Sequence, residues 1–530
     1  MLTGIFYSFS PAIDTAQQTP TQETSHKEVT HDASAEHGQT QPNESHETGA
    51  VHNNANTHEQ QAEGGHTSQG EADSHHGTHH VHLNGSDVSL WWILPFIGIL
   101  LSIAVFPLVL PHFWHHNYGK ISLFWWITFM VPFMVFNGFH MGVFYIMEVY
   151  LGEFIPFIIL LLALFTIAGG VRLTGSLRGS PMVNTVILLL GTVLASWMGT
   201  TGAAMLLIRP IIRANSWRKY RVHTIVFFIF LVANIGGSLT PLGDPPLFLG
   251  FLKGVSFFWT TTHMFLPMLF VSVILLVLYF IIDTLLYKKE SIPPEDGTKE
   301  PLGLEGKGNL LLLLGVVAAV VISGIWNANI NNPDHVIIKA YGTGLMTKGV
   351  LFQVFTLLLL AIISLKITKK STREGNGFTW EPIVEVAKLF ATIFITMVPA
   401  IAILKAGSDG ALAPIINSVN NEAGPVNYMY FWCTGILSSF LDNAPTYVVF
   451  FNTAGGDAQV LMHKIPQTLL AISCGAVFMG ANTYIGNAPN FMVRSIAEEN
   501  KIKMPSFFGY MLWSFGILTP IFLLVTFIFF

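Results

Sequence analysis

Beyond residue 87 the chain alternates between long apolar stretches and short polar connections. Stretches near the ~20 residues that cross ~30 Å of hydrocarbon occupy 88–110, 121–138, 154–170, 223–253, 263–287, 309–328, 345–365, 383–404, 465–493 and 508–530. They predict ten membrane-spanning helices. Two further apolar stretches, 183–208 and 428–452, are interrupted midway by SWMGTTGA (196–203) and SSFLDNAPT (438–446), which predicts two re-entrant hairpins. Composition agrees: 51% of residues are hydrophobic and 11% charged, against roughly 25% charged in a soluble domain. The fold class expected is an all-α integral membrane protein whose first partner is the lipid bilayer.

The first 87 residues are a different material. Residues 11–87 hold few aliphatic side chains, too few to offset chain entropy by burial, so a disordered tail is expected. It contains 12 of the 20 histidines and ends in His75, His76, His79, His80 and His82. Imidazoles at this density offer a Zn²⁺ or Ni²⁺ site; a polar, pH-responsive tether is the plainer reading. MLTGIFYSFSPA lacks a basic flank and is at most a signal-peptide remnant.

The net charge of −5 comes without a basic stripe, so nucleic-acid partners are not expected. Cys433 and Cys474 fall in apolar segments and make neither a disulfide framework nor a CxxC site. The basic clusters fix one orientation by the positive-inside rule. Arg172 and Arg178 before the first hairpin, and Arg213, Arg218, Lys219 and Arg221 after it, lie on one side. Lys288, Lys289, Lys366, Lys369, Lys370 and Arg373 then fall on that side too, which places the tail and the C-terminus outside the cytoplasm. His140, Glu148 and Glu153 read as a short external connection, Lys405 and Asp409 as an outer span end, and His223, His263 and His463 as interfacial. Arg209 is placed to snorkel to the inner interface.

An internal repeat organises the spans. GGSLTPLGDPPLF (236–248) and MGANTYIGNAPNF (479–491) align at an offset of 243, matching Gly237/Gly480, Thr240/Thr483, Gly243/Gly486, Pro246/Pro489 and Phe248/Phe491. Leu242/Ile485 are similar, and Asp244 faces Asn487. The same offset aligns Ser196 with Ser439 and Gly199-Thr200 with Asp442-Asn443. Each half has five spans and a hairpin, and an odd number of crossings inverts the second half. The expected organisation is repeat 1 at 88–287, a cytoplasmic linker at 288–308 and an inverted repeat 2 at 309–530, with broken helices at the membrane midplane.

Broken helices strand backbone N–H and C=O groups unless they line a cavity or meet a ligand. Prolines 241, 245 and 246 remove donors, leaving carbonyls and the hydroxyls of Ser238 and Thr240 for a cation; Asn482, Thr483 and Asn487 offer the counterpart. Acids within a membrane are costly and tend to be functional. Asp244 and Asp442 are the two inside these motifs, each able to exchange a proton for Na⁺; the alternative is that each merely caps a half-helix.

At these residues the sequence resembles the ion transporter superfamily, and NhaD-type sodium/proton antiporters within it, with CitMHS-like citrate transporters as related members. The resemblance covers about 88–530 and implies paired ion sites: Thr200, Thr201, Ser238, Thr240 and Asp244 in the first, Asp442, Asn443, Thr446, Asn482, Thr483 and Asn487 in the second. It implies Na⁺ at Asp244 and at Asp442. Carboxylate carriers of the group show Ser-Asn-Thr at both hairpin tips; here the tips read Gly199-Thr200-Thr201 and Asp442-Asn443-Ala444, and an acid at a tip repels a carboxylate substrate. The expectation is a transporter, not an enzyme, exchanging Na⁺ or Li⁺ for H⁺ in a bacterial inner membrane, without cofactors. A homodimer is compatible with it, and a Na⁺-coupled citrate or dicarboxylate transporter is the alternative.

Overall fold

The computed structural model describes residues 83–290, 301–327, 336–340 and 343–530. The His-rich tail expected through residue 82, with its five clustered histidines, lies outside the described residues.

The described chain is helical apart from three two-stranded ribbons. Helices α1 (Leu94–Val109), α2 (Pro111–Asn137), α3 (Phe139–Val149) and α4 (Ile155–Ala168) come first. Helices α5 (Pro181–Met198) and α6 (Thr200–Ala214) make one helical hairpin, followed by α7 (Val222–Leu231), α8 (Pro245–Leu252) and the long α9 (Trp259–Tyr287). The second half runs through α10 (Gly308–Asn327), α11 (Lys348–Ile367), α12 (Lys370–Gly375), α13 (Glu381–Thr396), α14 (Val398–Lys405) and α15 (Ala413–Val419). It continues with the hairpin α16 (Asn427–Phe440) and α17 (Asn443–Thr453), the short α18 (Ala458–His463), then α19 (Pro466–Met479), α20 (Ala488–Glu499) and α21 (Phe507–Phe529).

Among the described residues nine helices are long and apolar enough to cross a membrane, or ten if α13 and α14, bent by 40° at their junction, form one span. Large apolar side chains such as Leu123, Phe124, Phe136, Leu512 and Phe527 are exposed on these helices, a surface that hydrocarbon tolerates and water does not. The chain is a multi-pass membrane protein.

Membership of the set differs from the sequence expectation in two places. Pro181–Met198 meets the length criterion but turns back at Gly199, whose φ of +81° suits glycine alone. The expected span 465–493 does not meet it, because the break leaves only the 14 residues of α19 and the 12 of α20 as regular helix.

The external connection expected at 139–153 is instead helix. Residues 139–168 form one rod of 30 residues, with a π-turn at Tyr150–Phe154 taking up an extra residue where α3 meets α4. His140 is exposed and Glu148 half-buried, while Glu153 pairs with Lys253 at 3.0 Å. Nothing in FHMGVFYIMEVYLGEF breaks a helix strongly enough to force a loop. The stretch expected as a linker at 288–308 is partly built in: Gly303–Glu305 pairs antiparallel with Arg172–Thr174, and Gly308 already opens α10.

The core lies on the half-helices. All residues from His223 to Leu231 in α7, and from Thr468 to Met479 in α19, are buried, as expected of helices apolar on every face. Their unwound ends therefore lie deep in the protein.

Candidate functional site

Each break is tied to its own hairpin tip by bonds between equivalent residues, 243 positions apart, with the serine accepting from a backbone N–H in the first half and from a side-chain amide in the second. Ser196 Oγ donates to the Gly236 carbonyl and accepts from the Leu239 N–H at 3.1 Å, while Thr240 donates to the Ser196 carbonyl. In the second half Ser439 Oγ donates to the Met479 carbonyl at 3.0 Å and accepts from Asn482 Nδ2 at 2.9 Å, while Thr483 donates to the Ser439 carbonyl. The hydroxyls of Thr240 and Thr483 each also accept, at 3.2 Å, from the N–H two residues on. Backbone groups stranded by the breaks are thus satisfied by equivalently placed Ser and Thr side chains.

The matched glycines permit this closeness. A Cβ on Gly243 would lie 2.1 Å from the Gly237 carbonyl oxygen, and one on Gly486 would lie 2.5 Å from that of Gly480.

Asp244 sits at the start of α8 and makes no capping bond to that helix. Its carboxylate accepts instead from Thr200 Oγ1 at 3.2 Å, Asn443 Nδ2 at 2.6 Å and Asn487 Nδ2 at 3.0 Å. All four residues are buried. Asp442 behaves differently: its Oδ1 accepts from the Ala444 N–H at 3.0 Å and caps α17. The cap reading therefore describes Asp442 and fails for Asp244.

A cavity of about 120 Å³ opens beside them, lined by Thr200, Thr201, Asp244, Asp442 and Asn487, with Leu164, Phe165, Ile383, Phe390 and Met492 among its apolar walls. Among the described residues lining it, none is Lys, Arg or His.

The two residue sets expected from the sequence are therefore not kept apart. Thr200 of the first and Asn443 and Asn487 of the second converge on one carboxylate. Thr201 and Asp442 face the same cavity. Ser238, Thr240 and Thr483 spend their hydroxyl protons on backbone carbonyls, and Thr446 donates to the Asp442 carbonyl at 3.0 Å. Asn443 Oδ1 and Asn482 Oδ1 are buried without a hydrogen-bond partner among the described residues, so two hard oxygen acceptors stand available at the second hairpin and break.

A family profile described as "Putative citrate transport" (CitMHS_2) matches residues 85–530. The chain belongs to this family. No curated protein shows significant similarity to it. The family match covers both hairpins and both breaks and makes the chain citrate-transporter-like; the segment before residue 85 lies outside the match.

Several residues at the site of this transporter-family chain were not singled out by sequence reasoning. Asn234 donates to Asn490 Oδ1 at 2.7 Å and accepts from Asn487 at 3.3 Å, and Asn490 holds the Gly480 and Thr483 carbonyls at 2.8 and 2.9 Å. These amides brace the donor that reaches Asp244. Their signal was polarity inside an apolar run, the same signal that marks Asp283 in YFIIDTLLY. His223, expected at the interface, is buried against Asp283 with Nε2 at 2.7 Å, because an acid buried in the last turn or so of the apolar helix α9 must find partners. Arg209 does not line the cavity; its guanidinium lies against Gly377.

Proposed function

We propose that the protein exchanges Na⁺ or Li⁺ for protons, as NhaD-type antiporters do, with Asp244 as the carboxylate for which cation and proton compete. One observation carries this reading: the cavity between hairpins and breaks is lined by two carboxylates and by no basic side chain. A carboxylate substrate entering there would meet two acids with no cation to offset them, whereas Na⁺ meets hard oxygens. The donor set suits such an ion. Asp244 and Asp442, with the hydroxyls of Thr200 and Thr201, line the cavity and are the groups that would hold it.

In the proton-loaded form Asp244 is neutral and its three neighbouring donors lose an ionic acceptor; release of the proton restores the charge that attracts Na⁺. Asp442, on the same cavity, adds its field to that attraction. On this reading the two halves, five spans and a hairpin each, are inserted oppositely in the membrane, with the basic flanks of the first hairpin in the cytoplasm of a bacterial cell.

The family match favours a second reading, Na⁺-coupled citrate or dicarboxylate uptake. Everted vesicles carrying a respiration-driven ΔpH, followed with a pH-sensitive dye, separate the two. Addition of Na⁺ or Li⁺ should dissipate the gradient, and citrate alone should not. Citrate uptake that requires Na⁺, with no cation-driven loss of ΔpH, would overturn the antiport reading.

A further inference from the structure

Away from the cavity, the base of the first hairpin carries a buried charge cluster to which the exchange reading gives no role. Arg218 and Asp283 have side chains with no solvent exposure. Arg218 grips the carboxylate with two nitrogens, Nη1 at 3.0 Å and Nη2 at 2.5 Å. The same carboxylate takes His223, Tyr279 OH at 3.2 Å and Asn184 Nδ2 at 3.2 Å. Asn184 belongs to α5 and exchanges bonds of 2.8 and 2.9 Å with Asn215, which closes α6. Asn215 Oδ1 also accepts from Arg218, and Glu290 lies 3.7 Å from the Arg218 Nε. Both arms of the hairpin are thereby fastened to α9.

The second half supplies an internal control. At the offset of 243, Arg218, His223, Tyr279 and Asp283 correspond to Leu461, Pro466, Phe522 and Thr526. That half folds the same hairpin and break without the charges. A buried ion pair stabilises a fold no better than well-packed apolar groups of similar size, so stability alone does not account for placing one on a single side.

We propose that Arg218 and Asp283 are positioning residues: they fix the base of the first hairpin on α9 and thereby hold its tip, Gly199 to Thr201, against Gly243 and Asp244. α5 is the lever. From Asn184 to Gly199 it spans about 22 Å at ~1.5 Å per residue, and at its far end the Thr200 N–H donates to the Gly243 carbonyl at 2.9 Å while its hydroxyl donates to Asp244. Loosening the anchor lets the tip withdraw one donor from Asp244. The second hairpin has no charged anchor at its base, where Asn427, the counterpart of Asn184, accepts from Thr468 at 2.8 Å.

The test is hydrogen–deuterium exchange on the full-length protein in lipid nanodiscs, comparing the tips at 199–203 and 441–444. Asp283→Asn and Arg218→Gln should each speed exchange at the first tip about tenfold and leave the second tip unchanged. Asn184→Ala, which releases α5 but leaves both charges paired, should do the same and serves if the charge variants fail to reach the membrane. Apparent KM for Na⁺ should rise about tenfold while the maximal rate stays within about twofold; this part alone rests on the exchange reading. An unchanged first tip, or both tips loosening together, would overturn the proposal. Wild-type protein that moves no Na⁺ would refute the cargo assignment and leave the tip comparison to decide the positioning role.

Discussion

Asp244 and Asn487 occupy the same position in the two repeated segments, 243 residues apart, and are hydrogen-bonded to one another at 3.0 Å. The two neighbouring donors are also such a pair: Thr200 and Asn443 are separated by 243 residues and both reach the Asp244 carboxylate. The Asp244 carboxylate is thus held by equivalent positions of the two halves, with an acid in the first half where the second has an amide. Two carboxylates at this separation could not both ionise. An amide facing Asp244 leaves that pair with one charge, which a bound cation or proton neutralises.

Asp244→Asn keeps the shape and one oxygen while removing that charge. Because the Asp244 side chain does not cap α8, no helix-capping bond is lost. Na⁺-driven dissipation of ΔpH should fall by at least about tenfold, the effect of losing a few kcal/mol of charge-assisted binding, with normal amounts of protein in the membrane. Normal exchange by this variant between about pH 6.5 and 9, the range over which groups near neutrality titrate, would remove Asp244 from the mechanism and bring the carboxylate-transport reading forward.

Asp442→Asn isolates charge from capping in the second hairpin. Asn caps helices as well as Asp does, so the bond to the Ala444 N–H survives and α17 stays in place. A strong loss of exchange is expected, because the second acid lines the same cavity and adds its field there. Asp442→Ala should lose transport and also lower thermal stability by about 1 kcal/mol through the missing cap; equal melting temperatures for the two variants would contradict the capping geometry.

The breaks are intolerant of a methyl group. Gly243→Ala would put a Cβ about 2 Å from the Gly237 carbonyl oxygen, a contact that only backbone movement relieves, and that movement displaces Asp244 next door. Gly486→Ala meets the Gly480 carbonyl in the same way and displaces Asn487. Both variants should reduce transport severely and lower the melting temperature in detergent. Gly516→Ala, with nothing within 4 Å of the added atom, should be silent in both measurements.

Much of this arrangement was legible in the sequence. Apolar length located most of the spans, and motif interruption located both hairpins and both breaks, because a bilayer penalises unsatisfied backbone and so makes every departure from helix conspicuous. The register of 243 was readable because Gly, Pro and Thr at the breaks have no substitutes with the same backbone behaviour. The grouping was not readable. A motif shows which residues leave the helix, but not that Asn443 and Asn487 would turn toward the acid of the other half, nor that Ser238, Thr240 and Thr483 would give their protons to carbonyls. The pairing of Arg218 and Asp283, 65 residues apart, is not readable because one sits in a basic loop and the other near the end of an apolar span; only the fold joins them. The helix through 139–153 is not legible because its polar residues read as a connection, whereas Glu153 meets Lys253 across the fold.

The asymmetry at positions 244 and 487 yields the sharpest expectation about pH. If Na⁺ and H⁺ compete for Asp244, lowering the pH fills the carboxylate with protons, so apparent KM for Na⁺ should rise as pH falls while the maximal rate at saturating Na⁺ changes less. Asn487→Asp places a second acid about 3 Å from the first. Like charges at that distance favour retention of one shared proton, so the variant gives up its proton less readily than the wild type. The pH at which exchange is half-maximal should therefore move upward by about one unit or more, the shift expected from ~1.4 kcal/mol of added repulsion. Asn487→Ala removes a donor to the carboxylate instead of adding charge. It stabilises the ionised form less, moves the profile the same way by a smaller amount, and weakens Na⁺ binding at every pH. Profiles measured by dye-monitored ΔpH collapse should therefore order as wild type, Asn487→Ala, Asn487→Asp from low to high pH. A profile for Asn487→Asp that overlays the wild type would mean that Asp244 does not carry the exchanged proton.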